Sequence, residues 1–424
     1  MIGEIKNDFK NGKYNALLKE LYCSDELLKQ QTDRYIKAID EFMTLYGERD
    51  IEIYSAPGRS EVGGNHTDHQ NGRVLAASIN LDAIAIVSKR KDSIVRLTSE
   101  GYGEIEVDIK DSEPLDNEKG TTKALVRGVA AAMKKRGYIT CGFDGYITSD
   151  VLGGSGLSSS AAYEVLITNV LSGMCNDGKI DAITIAQISQ EAENIHFGKP
   201  CGLLDQMASS VGGLINIDFK NKTNPIVKKI NVDINTFNHS LCIVDTKGSH
   251  ADLTDEYAAV PQEMKKVASF FGREYLSEVE KDEFYEKVND IRAFAGDRAV
   301  LRSMHWYAEN EKVDKEVDCL LNGEFEEFKN TVKESGNSSF KYLQNVFATK
   351  DIKNQSVSLA LCLSEEILGK KGVSRVHGGG FAGTIQAFVP NEMVDSYKEK
   401  MEKVFGENAC YVLFVRPVGG IKIV

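Results

Sequence analysis

The chain has 424 residues, of which 42% are apolar and 27% charged, so it is long enough for about two domains with a sizeable core. Its 51 Lys and Arg against 63 Asp and Glu give a formal net charge of −12, which disfavours nonspecific binding to nucleic acid or to an anionic membrane. The polar N-terminus and the lack of a long apolar run predict neither a secretion signal nor a membrane span. The eight cysteines are scattered, so we expect reduced thiols in a cytoplasmic protein.

Apolar periodicity divides the first half of the chain into helical and strand segments. Helical spacing is found at residues 1–48, 121–135 and 183–195. Strand-like runs lie at residues 51–55, 74–87, 143–147 and 213–219. The first of these strands is expected to end at Pro57-Gly58, because both residues favour turns.

A polar stretch at residues 220–224 is the predicted domain boundary. It separates an N-terminal lobe, residues 1–222, from a C-terminal lobe, residues 223–424, with 1–38 as an extra helical segment. Beyond the boundary, strand patterns occur at 241–245, 384–389, 411–415 and 421–424, and helical patterns at 255–368 and 393–405. This mixed order of strands and helices predicts an α+β, two-lobed protein.

A glycine-rich turn precedes one predicted helix, and it runs Gly153-Gly154-Ser155-Gly156-Leu157-Ser158-Ser159-Ser160. Backbone N–H groups and the positive end of a helix dipole converge at such a turn, which suits a phosphate. No Gly-Lys-Ser/Thr closes the turn, so it is not a Walker A loop, and it is not the dinucleotide fingerprint either. An ordinary strand–turn–helix junction with serine caps is the alternative interpretation.

A polar loop between two predicted strands carries Arg59 and the run Asn65-His66-Thr67-Asp68-His69. Hydrogen-bonding groups at this density suit a hydroxylated ligand such as a sugar, and a solvated turn is the alternative. The spacing His66-x-x-His69 would supply only half of a metal site.

Two carboxylates, Glu193 and Asp205, lie twelve residues apart with a glycine between them. Asp205 stands among apolar residues, where a carboxylate is costly unless it is paired or liganded. One acid could hold a hard cation while the other accepts a proton. Equally, the two could be a helix-surface Glu and an N-cap Asp.

In this order, four segments resemble the GHMP small-molecule kinases and, within them, the galactokinases. Residues 56–68 resemble the signature Pro-Gly-Arg-Val-Asn-Leu-Ile-Gly-Glu-His-Thr-Asp, and residues 154–162 resemble the phosphate loop Gly-x-Gly-Leu-Ser-Ser-Ser-Ala. Residues 192–206 resemble the region with the magnesium Glu and the catalytic Asp, and residues 375–383 resemble the third glycine motif. Asp255-Glu256-Tyr257 is similar to the family's Ser-Glu-Tyr.

The resemblance implies the two-lobed GHMP kinase fold. This combines a ribosomal-protein-S5-domain-2-like N-terminal lobe with a ferredoxin-like C-terminal lobe, and the active site lies in the cleft. The implied reaction is ATP- and Mg²⁺-dependent phosphorylation of the anomeric hydroxyl of galactose. The implied partner is a small sugar, with no nucleic acid and no membrane, and the protein would be a monomer or a weak homo-oligomer.

The same resemblance implies residue roles. Asp205 would take the proton from the sugar, with Arg59 holding it ionised, and Ser160 with Glu193 would hold Mg²⁺. The sugar would contact Asn65, His66, Thr67, Asp68, Gly202 and Tyr257. The nucleotide would contact Ser99, Gly154, Ser155, Gly156, Leu157, Ser158, Ser159 and Ser160.

Departures from the family pattern concern the sugar. Asn65 replaces the signature Glu, and Ser60-Glu61-Val62-Gly63 replaces Val-Asn-Leu-Ile. An uncharged residue near C6 would tolerate a carboxylate there, so a galacturonate kinase is the rival. A non-catalytic sugar and ATP sensor, or a GHMP kinase for another alcohol such as mevalonate, is less favoured, because Asp205, Arg59, Glu193 and the His-Thr-Asp triplet are present.

Overall fold

The computed structural model of the chain describes residues 2–151, 153, 156–221, 224–248 and 253–424. Its strands in chain order are β1 (Glu52–Gly63), β2 (Arg73–Lys89), β3 (Ile94–Ser99), β4 (Glu104–Asp108), β5 (Phe143–Ser149), β6 (Leu214–Asp218), β7 (Ile226–Ile230), β8 (His239–Asp245), β9 (Val373–His377), β10 (Thr384–Pro390), β11 (Cys410–Leu413) and β12 (Ile421–Lys422).

Its helices in chain order are α1 (Ile2–Lys10), α2 (Asn15–Tyr22), α3 (Leu28–Tyr46), α4 (Thr122–Lys135), α5 (Ser159–Asn176), α6 (Ala182–Glu191), α7 (Leu204–Val211), α8 (Thr254–Phe270), α9 (Lys281–Glu286), α10 (Val288–Ala295), α11 (Asp297–Asn322), α12 (Phe325–Ser338), α13 (Ser356–Leu368) and α14 (Val394–Phe405). The predicted helical region 255–368 is thus a series of helices from α8 to α13.

Two sheets organise the described residues. The first runs β12-β1-β2-β5-β3-β4, with β6 added to β2 and β7 added to β6, and only the β3–β5 pairing is parallel. The second is antiparallel and runs β11-β8-β10-β9. Strand and helix content from both halves of the chain therefore gives the α+β arrangement that the sequence predicts.

The later part of strand β2, residues 83–87, is covered on both faces, which explains why its sequence shows no polar alternation there. Ala83, Ala85 and Val87 pack against α5 and α4 in one apolar cluster. The intervening Ile84 and Ile86 pack against the N-terminal helices in another. A strand segment buried on two sides has apolar residues at consecutive positions, as residues 83–87 do, whereas Ser78, Asn80 and Asp82 interrupt the earlier part of the run.

The first three helices cover one face of the first sheet. Tyr35 and Phe42 of α3 lie in the same apolar cluster as Ile84, Ile86 and Tyr146. The extra helical segment predicted at 1–38 therefore packs onto the sheet. No helix in the described residues is both long and apolar enough to cross a bilayer.

Strand β1 continues past the turn predicted at Pro57-Gly58, and this prediction was wrong. A shift in the β1–β2 register between Pro57 and Arg59 lets the strand pass a residue that lacks an N–H. Arg59 and Glu61 consequently extend from a strand and not from a flexible loop.

Two further features differ from expectation. Cys141 and Cys175 form a disulfide, which the prediction of reduced thiols missed because the two lie 34 residues apart and only the fold brings them together. Strands β7 and β12 belong to the first sheet although both follow residue 222. The lobe boundary at 222/223 stays a prediction, and the sheet of the first lobe includes these two short strands.

Candidate active site

An arginine–aspartate pair lies at the centre of the site. Arg59 of β1 donates from Nε to Oδ1 of Asp205, in the first turn of α7, over 2.6 Å. Its Nη1 donates to the carbonyl of Gly156, also over 2.6 Å. Ser158 donates its hydroxyl to the second carboxylate oxygen, Oδ2. The glycine-rich turn, strand β1 and helix α7 therefore meet at one carboxylate.

The Asp205 carboxyl is held in its ionised form. Burial alone would raise its pKa, but the charge of Arg59 and the hydrogen bonds from Arg59 and Ser158 outweigh burial and lower the pKa below its ordinary value. The side chain is still 35% exposed, whereas that of Arg59 is 9% exposed. The carboxylate thus keeps accessible surface, as a proton acceptor requires.

The described part of the glycine-rich turn fits an anion site. Gly156 has φ +72°, and an added Cβ there would lie 2.6 Å from Oγ1 of Thr384 in the second sheet. The backbone N–H of Arg59 donates to the carbonyl of Leu157, which fixes the turn onto β1. Helix α5 begins at Ser159, so its first N–H groups open beside the turn. Gly154 and Ser155 lie outside the described residues.

Ser160 and Glu193 face each other as the sequence predicts for a cation site. The hydroxyl of Ser160 is 3.2 Å from Oε1 of Glu193, which lies in a wide helical turn that follows α6. Lys199 approaches the same oxygen at 3.5 Å, and Gln206 donates to Oε2 over 2.8 Å. Both candidate ligands are oxygen donors, the type that Mg²⁺ prefers.

The neighbourhood of Glu193 holds a second buried acid. Glu164 accepts a hydrogen bond from Gln206 at 3.0 Å, and its other oxygen, Oε1, has no partner in the described structure. Burial, reinforced by the charge of Glu193, raises the pKa of Glu164 well above its ordinary value. No group of three or more His, Cys, Asp or Glu among the described residues has metal-site geometry.

On the sugar side, Asp68 and Gly202 are in contact. A Cβ added to Gly202 would lie 1.9 Å from Oδ2 of Asp68, so only glycine allows this approach. Gly202 precedes α7 by two residues, and the carboxylate of Asp68 is 12% exposed. This contact links the loop at 64–70 to the segment that carries Asp205.

His66 and Tyr257 both contact the third glycine motif. Nε2 of His66 lies 3.0 Å from the carbonyl of Gly379, and the hydroxyl of Tyr257 donates to the carbonyl of Gly380 over 2.9 Å. A carbonyl only accepts, so Nε2 carries the proton, and the buried Nδ1 is an acceptor without a partner in the described structure. Burial, with the neighbouring His69, lowers the pKa of His66 to about 3, so the ring is neutral.

Asn65 and Thr67 have their side chains turned into the protein. Asn65 is 0% exposed, and its amide bonds to Glu61, Gly378 and Asn345. The hydroxyl of Thr67 bonds to backbone carbonyls of its own loop. A direct sugar contact by either side chain stays a prediction, and the contacts described assign both residues to holding the loop.

Ser99 is the remaining predicted nucleotide contact. It ends β3, where it pairs with Ile147 of β5, the strand that leads to the glycine-rich turn. Its backbone carbonyl accepts a hydrogen bond from the N–H of Tyr102. Among the described contacts of Ser99, only its pairing with β5 thus connects it to the site.

Sequence reasoning missed several residues around the site. Glu61, Arg375, His377 and Gln386 link β1 to the second sheet, and Gln206 links Glu193 to Glu164. Two of these residues could have been found from the sequence. Gln206 directly follows Asp205, and Glu61 departs from the family signature. The second-sheet partners of Glu61, His377 and Arg375, lie more than 300 residues away and leave no local pattern.

Comparisons with known proteins concern the family of the chain. Residues 40–89 match the galactokinase galactose-binding signature, and residues 124–213 match the GHMP kinases N terminal domain. A galactokinase of Glaesserella parasuis serovar 5 (strain SH0165) is 31% identical over 376 residues, which cover 87% of this chain and 92% of that protein.

Solved structures share the fold. The crystal structure of Lactococcus lactis galactokinase complexed with galactose has a TM-score of 0.78 at 24% identity, covering 90% of this chain and 98% of that one. Methanococcus jannaschii mevalonate kinase has a TM-score of 0.60 at 14% identity, covering 87% of this chain and 99% of that one. The fold is therefore the two-lobed α+β GHMP kinase fold. Given also the identity and coverage of its relative, the chain belongs to the galactokinase family.

Proposed function

We propose that this protein transfers the γ-phosphoryl group of ATP to the anomeric hydroxyl of galactose, giving galactose 1-phosphate and ADP. One observation carries the proposal: the Asp205 carboxylate is bonded by Arg59 from the signature strand and by Ser158 from the phosphate turn. A proton acceptor thereby lies at the junction of the expected sugar and nucleotide sites.

Asp205 accepts the proton of the sugar hydroxyl. Its lowered pKa keeps it ionised at neutral pH, and its exposed fraction leaves it accessible. Arg59 fixes the carboxylate and supplies positive charge beside the transferring group. Phosphoryl transfer of this kind depends mainly on positioning and electrostatics. The protein therefore needs to supply one aligned base, Asp205, and one positively charged side chain, Arg59.

The sugar lies against Asp68, His66, Gly202 and Tyr257. The unprotonated Nδ1 of His66 accepts a hydrogen bond from a sugar hydroxyl, and the Asp68 carboxylate accepts others. Asn65 and Thr67 act on the sugar through the loop that they hold. Relatives with the name galactokinase favour galactose over the rival galacturonate.

Residues 154–160 and Ser99 contact the nucleotide, and Ser160 with Glu193 hold Mg²⁺. The ion, when bound, supplies charge neutralisation on the phosphates. We also propose that the enzyme is cytoplasmic and that it is a monomer or a weak homo-oligomer. Gel filtration with light scattering would test the oligomeric state.

The test is the reaction itself. Purified protein with MgATP and galactose should release ADP and form galactose 1-phosphate, identified by its phosphorus NMR signal. The matched control is 1-deoxygalactose, which lacks the reacting hydroxyl and should give no product. A kcat/KM for galactose at least about tenfold above that for galacturonate or mevalonate is expected. Turnover of another alcohol without turnover of galactose would overturn the assignment.

A further inference from the structure

Positions 61 and 65 carry the family's two polar residues in exchanged order. The signature has Asn at the first of these positions and Glu at the second, whereas this chain has Glu61 and Asn65. In the structure, Nδ2 of Asn65 donates to Oε1 of Glu61 over 2.8 Å, and both residues are buried. The exchange therefore preserves a carboxylate–amide pair and moves the negative charge four residues back along the chain.

Arg375 of β9 fixes the new position of the charge. Its Nη2 donates to the same Oε1 of Glu61 over 2.6 Å, and its Nη1 donates to the carbonyl of Val62 over 3.0 Å. The side chain of Arg375 is 0% exposed, so its charge needs a close anionic partner. A second carboxylate, that of Glu309, lies 4.0 Å away.

The amide of Asn65 uses its remaining hydrogen-bonding capacity on the second lobe. Nδ2 also donates to the carbonyl of Gly378 over 2.7 Å, and Oδ1 accepts from Asn345 over 2.8 Å. The next residue, His66, bonds to the carbonyl of Gly379. The pair of Glu61 and Asn65 thus holds the loop of His66 against the turn at 378–380.

We propose that Glu61, Asn65 and Arg375 form one positioning unit for the sugar-contacting loop, in which the carboxylate and the amide can be exchanged only together. This inference rests on the proposed function for its kinetic readout. A carboxylate at position 65 alone would place a third acid around Arg375, which Glu61 and Glu309 already face. An amide at position 61 alone would leave the buried guanidinium without its close anion.

The test compares the wild type with Glu61→Asn, Asn65→Glu and the double variant Glu61→Asn/Asn65→Glu, which restores the order of the family signature. Each single variant is expected to raise the KM for galactose by about tenfold or more while the KM for ATP changes by less than about threefold. The double variant should bring the galactose KM back to within about threefold of the wild type, a strongly non-additive result.

The outcomes separate this inference from the proposed function. Wild-type protein that fails to phosphorylate galactose contradicts the function. If the wild type is active but the double variant is unfolded, the positioning unit is overturned. It is also overturned if the galactose KM of the double variant rises by the product of the increases in the two single variants. Melting temperatures of all four proteins identify a variant that fails to fold. Glu61→Gln, which keeps the side-chain shape, is measured beside them. Rescue of melting temperature without rescue of the galactose KM would also reject a positioning role.

Discussion

At the scale of single residues, the carboxyl group of Glu316 is in an unfavourable position. It lies on α11 with 0% exposure, and neither of its oxygens has a hydrogen-bond partner in the described structure. The carboxyl presses against Gly63, where an added Cβ would lie 1.8 Å from Oε2. Burial, and then the nearby Glu309, raises its pKa well above the ordinary value.

Glu316→Gln is therefore expected to become increasingly stabilising, relative to the wild type, as pH rises. The folded state favours the neutral acid, so the stability that Glu316 contributes is complete below the pKa of an unfolded glutamate and is lost above it. The difference in unfolding free energy between variant and wild type should grow by about 1.4 kcal/mol per pH unit until the folded carboxyl ionises.

Urea titrations between pH 4 and 7 measure this difference. Glu311→Gln, on the exposed side of the same helix, is the matched control and should differ little from the wild type throughout. A Glu316→Gln difference that stays constant over this pH range would show that the carboxyl is not held neutral by the fold.

At the scale of elements, Asp82 joins the N-terminal helices to the first sheet. This residue of β2 is 0% exposed and pairs with Arg34 of α3 at 2.7 Å and with Arg416 at 2.9 Å. Tyr22 of α2 donates to it over 2.9 Å. Arg34 also pairs with Asp150, shortly before the glycine-rich turn, at 2.9 Å. The extra helices and the phosphate turn thus share one buried ionic network.

Asp82→Asn should lower the unfolding free energy by about 3–5 kcal/mol, because it leaves the buried guanidinium of Arg416 without its anion and that of Arg34 with Asp150 alone. Asp33→Asn is the control, since that aspartate of α3 forms an exposed pair with Lys29 and should cost no more than about 0.5 kcal/mol. Chemical denaturation of both variants provides the comparison. Equal losses in the two would mean that the network does not anchor the helices.

The same scale shows what local patterns can predict. The strand at 74–87 and the helix at 121–135 are confirmed because their apolar periodicity is a property of neighbouring residues. The continuation of β1 past Pro57 was missed, because a register shift that depends on β2 accommodates the proline. The pairing of β12 with β1 brings residues 421–422 to residues 54–55 and has no local signal.

At the scale of the whole molecule, four separated segments form one site. The motif residues Arg59, Glu193 and Asp205 could be predicted because each lies in a short, recognisable run. The contact of Arg59 with Asp205 across 146 residues, and the partnership of Glu61 with Arg375 across 314 residues, follow from tertiary packing. Composition and periodicity carry no information about such contacts, so the buried role of the Asn65 side chain could not be foreseen.

The account depends most on Asp205 as the group that accepts the sugar proton. The most direct measurement is the single-turnover rate of Asp205→Asn with galactose and MgATP, together with the galactose Kd. The amide oxygen of Asn can still accept from Arg59, and its NH2 group can donate to the Ser158 hydroxyl, so the site should keep its geometry. We predict a rate at least about 100-fold below the wild type with a Kd within about threefold. A variant that phosphorylates galactose at the wild-type rate would contradict the account.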